Sequence, residues 1–500
     1  MTSSMREASE VDILLVLEGT FPYVRGGVSS WVYRLILSFP EYRFGVIFLG
    51  SAKEDYQGSF YDIPENVVYY SEYFLYGSTG KEEKAKKFQR SADYGSAKIF
   101  HEEIKHSFLD NSFQLDIGRC NGNFGVSKED FLHGRESWEY LLENYSEIQE
   151  KPAFVDYFWT IRGMHAPLWT IQAAIEKAPG CRLLHSPSTG YAGYLAALIS
   201  RSAGTPLIVS EHGIYTKERR IDLMLARWIS DDQVFLKKGN QINYLRQLWI
   251  RFFEFVGRMG YQQARHVTNL YAGAMEQQIL DGADPLKLLT IPNGICVENF
   301  LASRSSYAGR KNAVALVGRV VPIKDIKTFI RAAKILSAWA ECPEFWIVGP
   351  TEEDEKYYEE CLLLVRHLGL ENRVRFTGYQ SVESVLAQVR LTVLSSISEG
   401  LPLSVLESFA AGVPVVATDV GACRELLYGQ KDGNADGTAA GKIVSIADPE
   451  ALAEGIRTVV SDQKLWEKLS MNAIDRVEKN YQEKTMVANY RQLYQDCLAG

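Results

Sequence analysis

From Ala313 onward the chain alternates short apolar runs with longer amphipathic stretches, and this rhythm leaves few folds open to it. Runs at Ala313–Gly318, Phe345–Gly349, Arg373–Phe376, Leu391–Ser395, Pro414–Thr418 and Lys442–Ile446 read as strands. Most are too short for a helix and show no polar alternation, the pattern of a strand buried on both faces. With helices filling the gaps they predict a parallel, doubly wound sheet. The first half repeats the pattern less cleanly. Strands are expected at Asp12–Leu17, Phe44–Leu49, Cys181–His185, Pro206–Ser210, Arg265–Leu270 and Lys287–Pro292, with a helix at Val28–Leu37. A chain of 500 residues is too long for one core. Two α/β domains are therefore expected, over residues 1–294 and 295–479. Residues 295–312 hold the linker, and a helix follows over 480–500.

Two stretches break the rhythm. Residues 71–150 are polar, with the charge cluster Lys81–Lys87, and read as a helical or loop insertion. Arg219–Tyr261 reads as a second helical insertion, carrying Trp228, Phe235, Tyr244, Trp249, Phe252, Phe253 and Phe255. Its aromatic face either packs on the domain or forms a docking surface for a membrane partner. A net charge of −8 gives no general attraction to nucleic acid or anionic lipid. Seven dispersed cysteines with no Cys-x-x-Cys pair fit reduced thiols, not a disulfide framework. The first ten residues are polar, and no run approaches the ~18 apolar residues of a membrane span. The expected compartment is the cytoplasm, with any membrane association supplied by a partner.

The densest chemistry lies at Ser398–Glu407, which places Glu399 and Glu407 eight positions apart across a strand-to-helix junction. Upstream, Arg319 and Lys324 lie five apart after another strand. Open α/β sheets bind ligands at this C-terminal strand edge. Two cations, helix N-termini and two carboxylates suit a sugar carried on a nucleoside diphosphate. The cations and amides take the phosphates, and the carboxylates accept from ribose or sugar hydroxyls. The backbone from Gly400 through Leu403 to Ser404 can add amides, although Pro402 has none to offer. A pair of cations can replace a divalent metal, and no Asp-x-Asp triplet is present, so neither metal nor cofactor is expected. Gly26 and Gly27, after the first strand, allow close approach of an anionic ligand, and Ser29 or Ser30 is a candidate cap for the helix that follows.

Glu-x7-Glu together with Gly-Arg-x4-Lys resembles the retaining family-four glycosyltransferases of the GT-B fold, over roughly residues 288–475. In the first half, Leu17–Trp31 and Ser210–Tyr215 resemble a narrower group, the cytosolic PelF glycosyltransferases of Pel exopolysaccharide systems. The resemblance implies two Rossmann-like domains facing across a cleft, with the terminal helix crossing back to the first domain. It implies a UDP-sugar donor, a glycan acceptor and membrane-embedded synthesis and export partners. Glu407 would hold the ribose and Glu399 the sugar and diphosphate. His212 would contact the donor sugar near its reacting carbon. Gly378, in Val374–Tyr379, would lie in the base-binding segment, and Asn293-Gly294 at the domain hinge. His165 is an acceptor-side candidate. Two other readings stand beside this one: a UDP-sugar epimerase of the same architecture, and a non-catalytic nucleotide-sugar-binding subunit.

Overall fold

The computed structural model describes residues 11–76, 104, 126–149, 151–226, 229, 243–429 and 438–499. The charge cluster Lys81–Lys87, Cys120, Trp228 and Phe235 lie outside the described residues. The chain forms two compact units. The first comprises the described residues of Met1–Asn269, Met275–Leu289 and Leu493–Gly500, the second Leu270–Ala274 and Thr290–Gln492. Residues 295–312, expected as a linker, belong to the second unit, and Val297 and Phe300 pack in its core.

The first unit is built on a seven-stranded sheet: β1 (Val11–Glu18), β2 (Phe44–Gly50), β3 (Val67–Phe74), β4 (Cys181–Ser186), β5 (Leu207–Ser210), β6 (His266–Asn269) and β7 (Leu288–Thr290). The order is β3-β2-β1-β4-β5-β6-β7, with parallel pairing from β3 to β6. The chain reverses its direction of strand addition between β1 and β4, which makes the C-terminal edge there a topological switch point.

β3 corrects the expected bounds of the insertion at 71–150: residues 71–74 are sheet, registered against β2. Within the rest of that stretch, the helices Lys128–His133 and Arg135–Glu147 are described. The second expected insertion is also revised. Its described part comprises two helices, Tyr215–Leu225 and Tyr244–Gln263. The second of these is core, with Trp249 and Phe253 only 6% and 8% exposed and Phe252 and Phe255 fully buried. The aromatic stripe packs against the helix Tyr191–Ala203, through Tyr191, rather than presenting a docking surface.

The second unit carries β8 (Lys311–Val317), β9 (Glu344–Val348), β10 (Val374–Gly378), β11 (Val389–Leu394), β12 (Val415–Thr418) and β13 (Gly441–Val444), ordered β10-β9-β8-β11-β12-β13 and parallel throughout. Successive residues divide between two cores. Ala313, Ala315, Val415 and Ala417 face one, and Val314, Leu316, Leu391 and Val416 face the other. That period of two on an all-apolar strand is what burial on both faces requires. The helices Leu403–Ala410 and Cys423–Tyr428 cover one face, and Ile326–Leu336 and Pro449–Ser461 the other. Here the switch point falls between β8 and β11.

Candidate functional site

In the second unit, the loops after β8 and β11 meet at this switch point. Beyond β8 the chain passes Gly318 and Arg319, makes a short turn at Pro322–Lys324, and reaches Asp325 at φ 43°. Aspartate tolerates this left-handed geometry because its short side chain bonds locally. Here it accepts from the Thr328 amide at 3.3 Å and caps the helix Ile326–Leu336. The turn leaves Lys324 beside the end of β11. Its Nζ lies 2.5 Å from Glu399 Oε1, with the two side chains 19% and 13% exposed. Ser396 Oγ donates to the same oxygen at 2.6 Å. Ser395 Oγ donates to the Lys324 carbonyl at 2.8 Å, and the Ile397 amide to the Ile323 carbonyl at 2.9 Å. Thr418, ending β12, donates to the Ser396 carbonyl at 2.7 Å. Three strand ends are thus stitched into one scaffold. Gly421, at φ 52°, closes it from below, because a Cβ there would lie 2.3 Å from the carbonyl oxygens of Glu399 and Gly400.

The sequence-predicted residues of this unit converge on one sheet edge. Gly400 follows Glu399 in the β11 loop. Leu403 and Ser404 begin the helix Leu403–Ala410, and Glu407 lies in its second turn, half-buried. Arg319 is half exposed and pairs with Glu353 at 2.5 Å. Gly378 closes β10 with φ 66°, two strands from β8. Pairing of Lys324 with Glu399 was not foreseen, nor were the roles of Ser395, Ser396 and Gly421.

In the first unit, the C-terminal ends of β1 to β5 surround a cavity of about 740 Å³. Its walls include Glu18, Tyr56, Tyr76, Tyr191, His212, Tyr215, Arg219, Trp249 and Phe253. Glu18 anchors the junction of β1 with the helix Tyr191–Ala203. Its Oε2 accepts from the Ala192 amide at 3.2 Å and its Oε1 from the Tyr215 hydroxyl at 3.1 Å. Arg219 Nε donates to that hydroxyl at 3.1 Å, and its guanidinium lies over the Tyr215 and Phe253 rings. Gly190 permits this packing, since a Cβ would lie 2.5 Å from both Glu18 Oε2 and Tyr215 Cζ.

His212 lines the cavity and meets Trp31 edge-on at 4.4 Å between centroids. Burial lowers its pKa to about 4. The neighbouring Glu211 is fully buried and accepts from Thr189 (2.8 Å), the Tyr215 amide (3.3 Å), Tyr261 (2.5 Å) and Gln278 (2.9 Å). Burial raises its pKa, and these donors oppose the rise. Beneath it, His185 joins Tyr494 (2.7 Å) to Ser210 (2.8 Å), and Ser210 accepts from Thr268 at 2.7 Å. Burial, then the repulsion that His212 beside it would exert once both imidazoles are protonated, brings the pKa of His185 down to about 3.

Other expectations in this unit are revised. Gly26 and Gly27 lie exposed at the start of the helix Gly27–Ser38. Gly26 is the cap, and Ser29 and Ser30 fall inside the helix with no side-chain cap bond. His165 lies inside the helix Phe154–Lys177, 1% exposed, with Nδ1 donating to the Ile161 carbonyl at 2.7 Å and its ring stacked on Phe131. It is a core residue and does not line the cavity, so it offers an acceptor no contact there. Glu18 and Glu211, whose partners lie far away in the chain, were not singled out from the sequence. Among the described residues, no cluster of three or more His, Cys, Asp or Glu is placed to hold a metal ion. Likewise, none of their helices is long and apolar enough to cross a membrane.

Comparison with known proteins agrees with this geometry. Residues 11–286 match the family described as a domain of unknown function (DUF3492), and residues 300–476 match the glycosyl transferases group 1. The chain is similar to the MMP α-(1→4)-mannosyltransferase of Mycolicibacterium hassiacum, at 23% identity over 59% of this chain and 66% of that protein. It is also similar to the D-inositol 3-phosphate glycosyltransferase of Kineococcus radiotolerans, at 27% identity over 65% and 82%. In fold it resembles Anabaena HepE, solved with UDP, at TM-score 0.57 and 15% identity over 97% of this chain and 100% of that one. Sucrose-phosphate synthase from Thermosynechococcus elongatus aligns at TM-score 0.58 and 14% identity over 98% and 99%. The match over residues 11–286 places the chain in the DUF3492 family, its residues 300–476 match the glycosyl transferases group 1, and its two parallel-sheet Rossmann-like units share the fold of the GT-B structures it resembles.

Proposed function

We propose that the chain is a retaining, metal-independent hexosyltransferase that uses a UDP-sugar to extend an exopolysaccharide of the Pel type. The observation that carries the donor reading is the Lys324–Glu399 pair at the β8–β11 switch point, on the same sheet edge as Arg319 and the start of the helix Leu403–Ala410. A diphosphate arriving there meets Lys324 and Arg319 as cations and the amides of Leu403 and Ser404 as donors. Glu399 and Glu407 accept from sugar and ribose hydroxyls. The structure of HepE with UDP supports the choice of nucleotide. In the first unit, by the family resemblance, Gly26, Gly27 and His212 are assigned to the sugar substrate. His212, held neutral by its burial, polarises the sugar near the reacting carbon without adding a charge.

No residue is placed as a nucleophile in this reading. The acceptor hydroxyl attacks from the face the nucleoside diphosphate leaves, the departing phosphate takes the proton, and Arg319 and Lys324 stabilise the charge that develops. The enzyme works at the inner face of a membrane, recruited by partner proteins. Product analysis tests the reading. UDP-N-acetylhexosamine and UDP-glucose are supplied with oligosaccharide acceptors, with and without excess EDTA. Release of UDP with an extended, α-configured glycan in both conditions is expected. An isomerised UDP-sugar with no extended glycan would identify an epimerase instead, and loss of UDP binding on chelation would refute metal independence.

A further inference from the structure

Of the two cations assigned above to the donor diphosphate, Arg319 is the less enclosed. Its side chain is 51% exposed, against 19% for Lys324. A long side chain free in solvent gives up conformational freedom whenever it holds a ligand, and that loss weakens the contact. The main chain around Arg319, by contrast, is fixed to the loop that follows β9. The Gly318 amide donates to the Val348 carbonyl at 2.9 Å, and the Val320 amide to the Pro350 carbonyl at 3.0 Å. At Gly349 the two segments come so close that a Cβ would lie 2.1 Å from the Gly318 carbonyl oxygen. The same loop then presents Glu353. The residue after it, Asp354, accepts from the Tyr357 amide at 2.9 Å and caps the helix Glu355–His367, so the loop is held at both ends. Glu353 Oε1 lies 2.5 Å from Arg319 Nη1. Among the described residues, the other N–H groups of this guanidinium have no protein partner, which leaves them to a phosphate.

We propose that Glu353 is a positioning residue for the donor. It holds the Arg319 guanidinium by one nitrogen, so that the remaining donors meet the diphosphate already oriented. The proposal rests on the donor reading above, in which Arg319 binds phosphate. Glu353 itself touches neither sugar nor nucleotide. A tether between two half-exposed side chains favours its geometry by a factor of about two to five, and that factor is what the donor gains.

The test combines calorimetric titration of UDP into the full chain with turnover of UDP-glucose and UDP-N-acetylhexosamine on oligosaccharide acceptors. Glu353→Ala is expected to weaken UDP binding and to lower kcat, each about two- to fivefold, with Tm lowered by no more than about 2–4 °C. Glu353→Gln, which keeps an acceptor at the same position, is expected to restore part of both. In an Arg319→Ala background, Glu353→Ala is expected to change neither, because the side chain it orients is gone. Three results would each overturn the proposal: unchanged UDP affinity in Glu353→Ala, tighter binding that makes Glu353 a competitor of the phosphate, or an equal loss in the Arg319→Ala background that makes its effect structural. Failure of the donor reading looks different. Arg319→Ala then binds UDP and turns over as the wild type does, and the proposal for Glu353 falls with it.

Discussion

Replacing Lys324 with methionine separates what the lysine does for the fold from what it does for the donor. At 2.5 Å the Lys324–Glu399 attraction is of order 7 kcal/mol at an effective dielectric near 20, most of it offset by desolvation of the two ions. Removing one partner of a fully buried pair costs about 3–5 kcal/mol. Exposures of 19% and 13%, and the Ser396 hydroxyl that still donates to Glu399, reduce this to about 2–3 kcal/mol. In a unit of this size that corresponds to a fall in Tm of roughly 5–10 °C. Adding Glu399→Gln removes the stranded charge, so the double variant should recover most of the loss. Turnover should not recover. Without the lysine, the departing diphosphate lacks a charge-stabilising donor worth about 3–4 kcal/mol, two or more orders of magnitude in rate. Calorimetry and UDP-release kinetics on the wild type, Lys324→Met and the double variant give both readouts. A double variant that regains turnover along with stability would show that Lys324 serves only to neutralise Glu399, and the phosphate assignment would fall.

Arg319→Ala should leave Tm within about 2–4 °C, because its bond to Glu353 joins two half-exposed side chains worth at most ~1 kcal/mol, yet it should lower turnover about a hundredfold or more; an unchanged rate removes Arg319 from the donor site. The folded pKa values of His185 and His212, about 3 and 4, lie below the unfolded value near 6.5, so their stabilising effect is complete above pH 6.5 and lost as pH falls toward 4, at about 1.4 kcal/mol per pH unit for each. His185→Asn should therefore flatten the fall in urea midpoint between pH 6 and pH 4.5; an identical slope contradicts the buried neutral state. Trp249→Glu should reduce soluble yield and Tm sharply, as expected for a charge forced into a core; a well-folded variant would return this helix to consideration as a surface.

The strand pattern was legible where burial on both faces made it uniform. β8 and β11 are apolar almost throughout, and both ends of the Glu-x7-Glu element fell where a strand gives way to a helix. β3 was missed for the converse reason. Val67–Phe74 is an edge strand, mostly half-buried, with Ser71 and Glu72 breaking its apolar run. Helical periodicity identified the apolar face of Tyr244–Gln263 but carries no information on what covers it, so core and docking surface looked alike. The site was legible residue by residue and illegible as contacts. Lys324 and Glu399 are 75 positions apart, and Glu18 and Tyr215 are 197 apart. Only the sheet order, which local sequence does not encode, brings them together.

One hydrogen bond in the first unit has a consequence for how the protein is made. Tyr494 is fully buried, bonded to His185 and packed against Phe39 and Tyr42, at a separation of 309 positions from its histidine. The residues of the second unit, about two hundred, are synthesised in between. At roughly 5–20 residues per second, the ribosome takes some ~10–40 s to cover them. Throughout that interval the nascent first unit holds His185 and two aromatic rings without their last partner. It emerges as an incomplete body, open to chaperones and to non-native pairing, and becomes a finished one only when residues 493–499 leave the exit tunnel. A fragment cut near residue 290 would be arrested permanently in that unfinished condition.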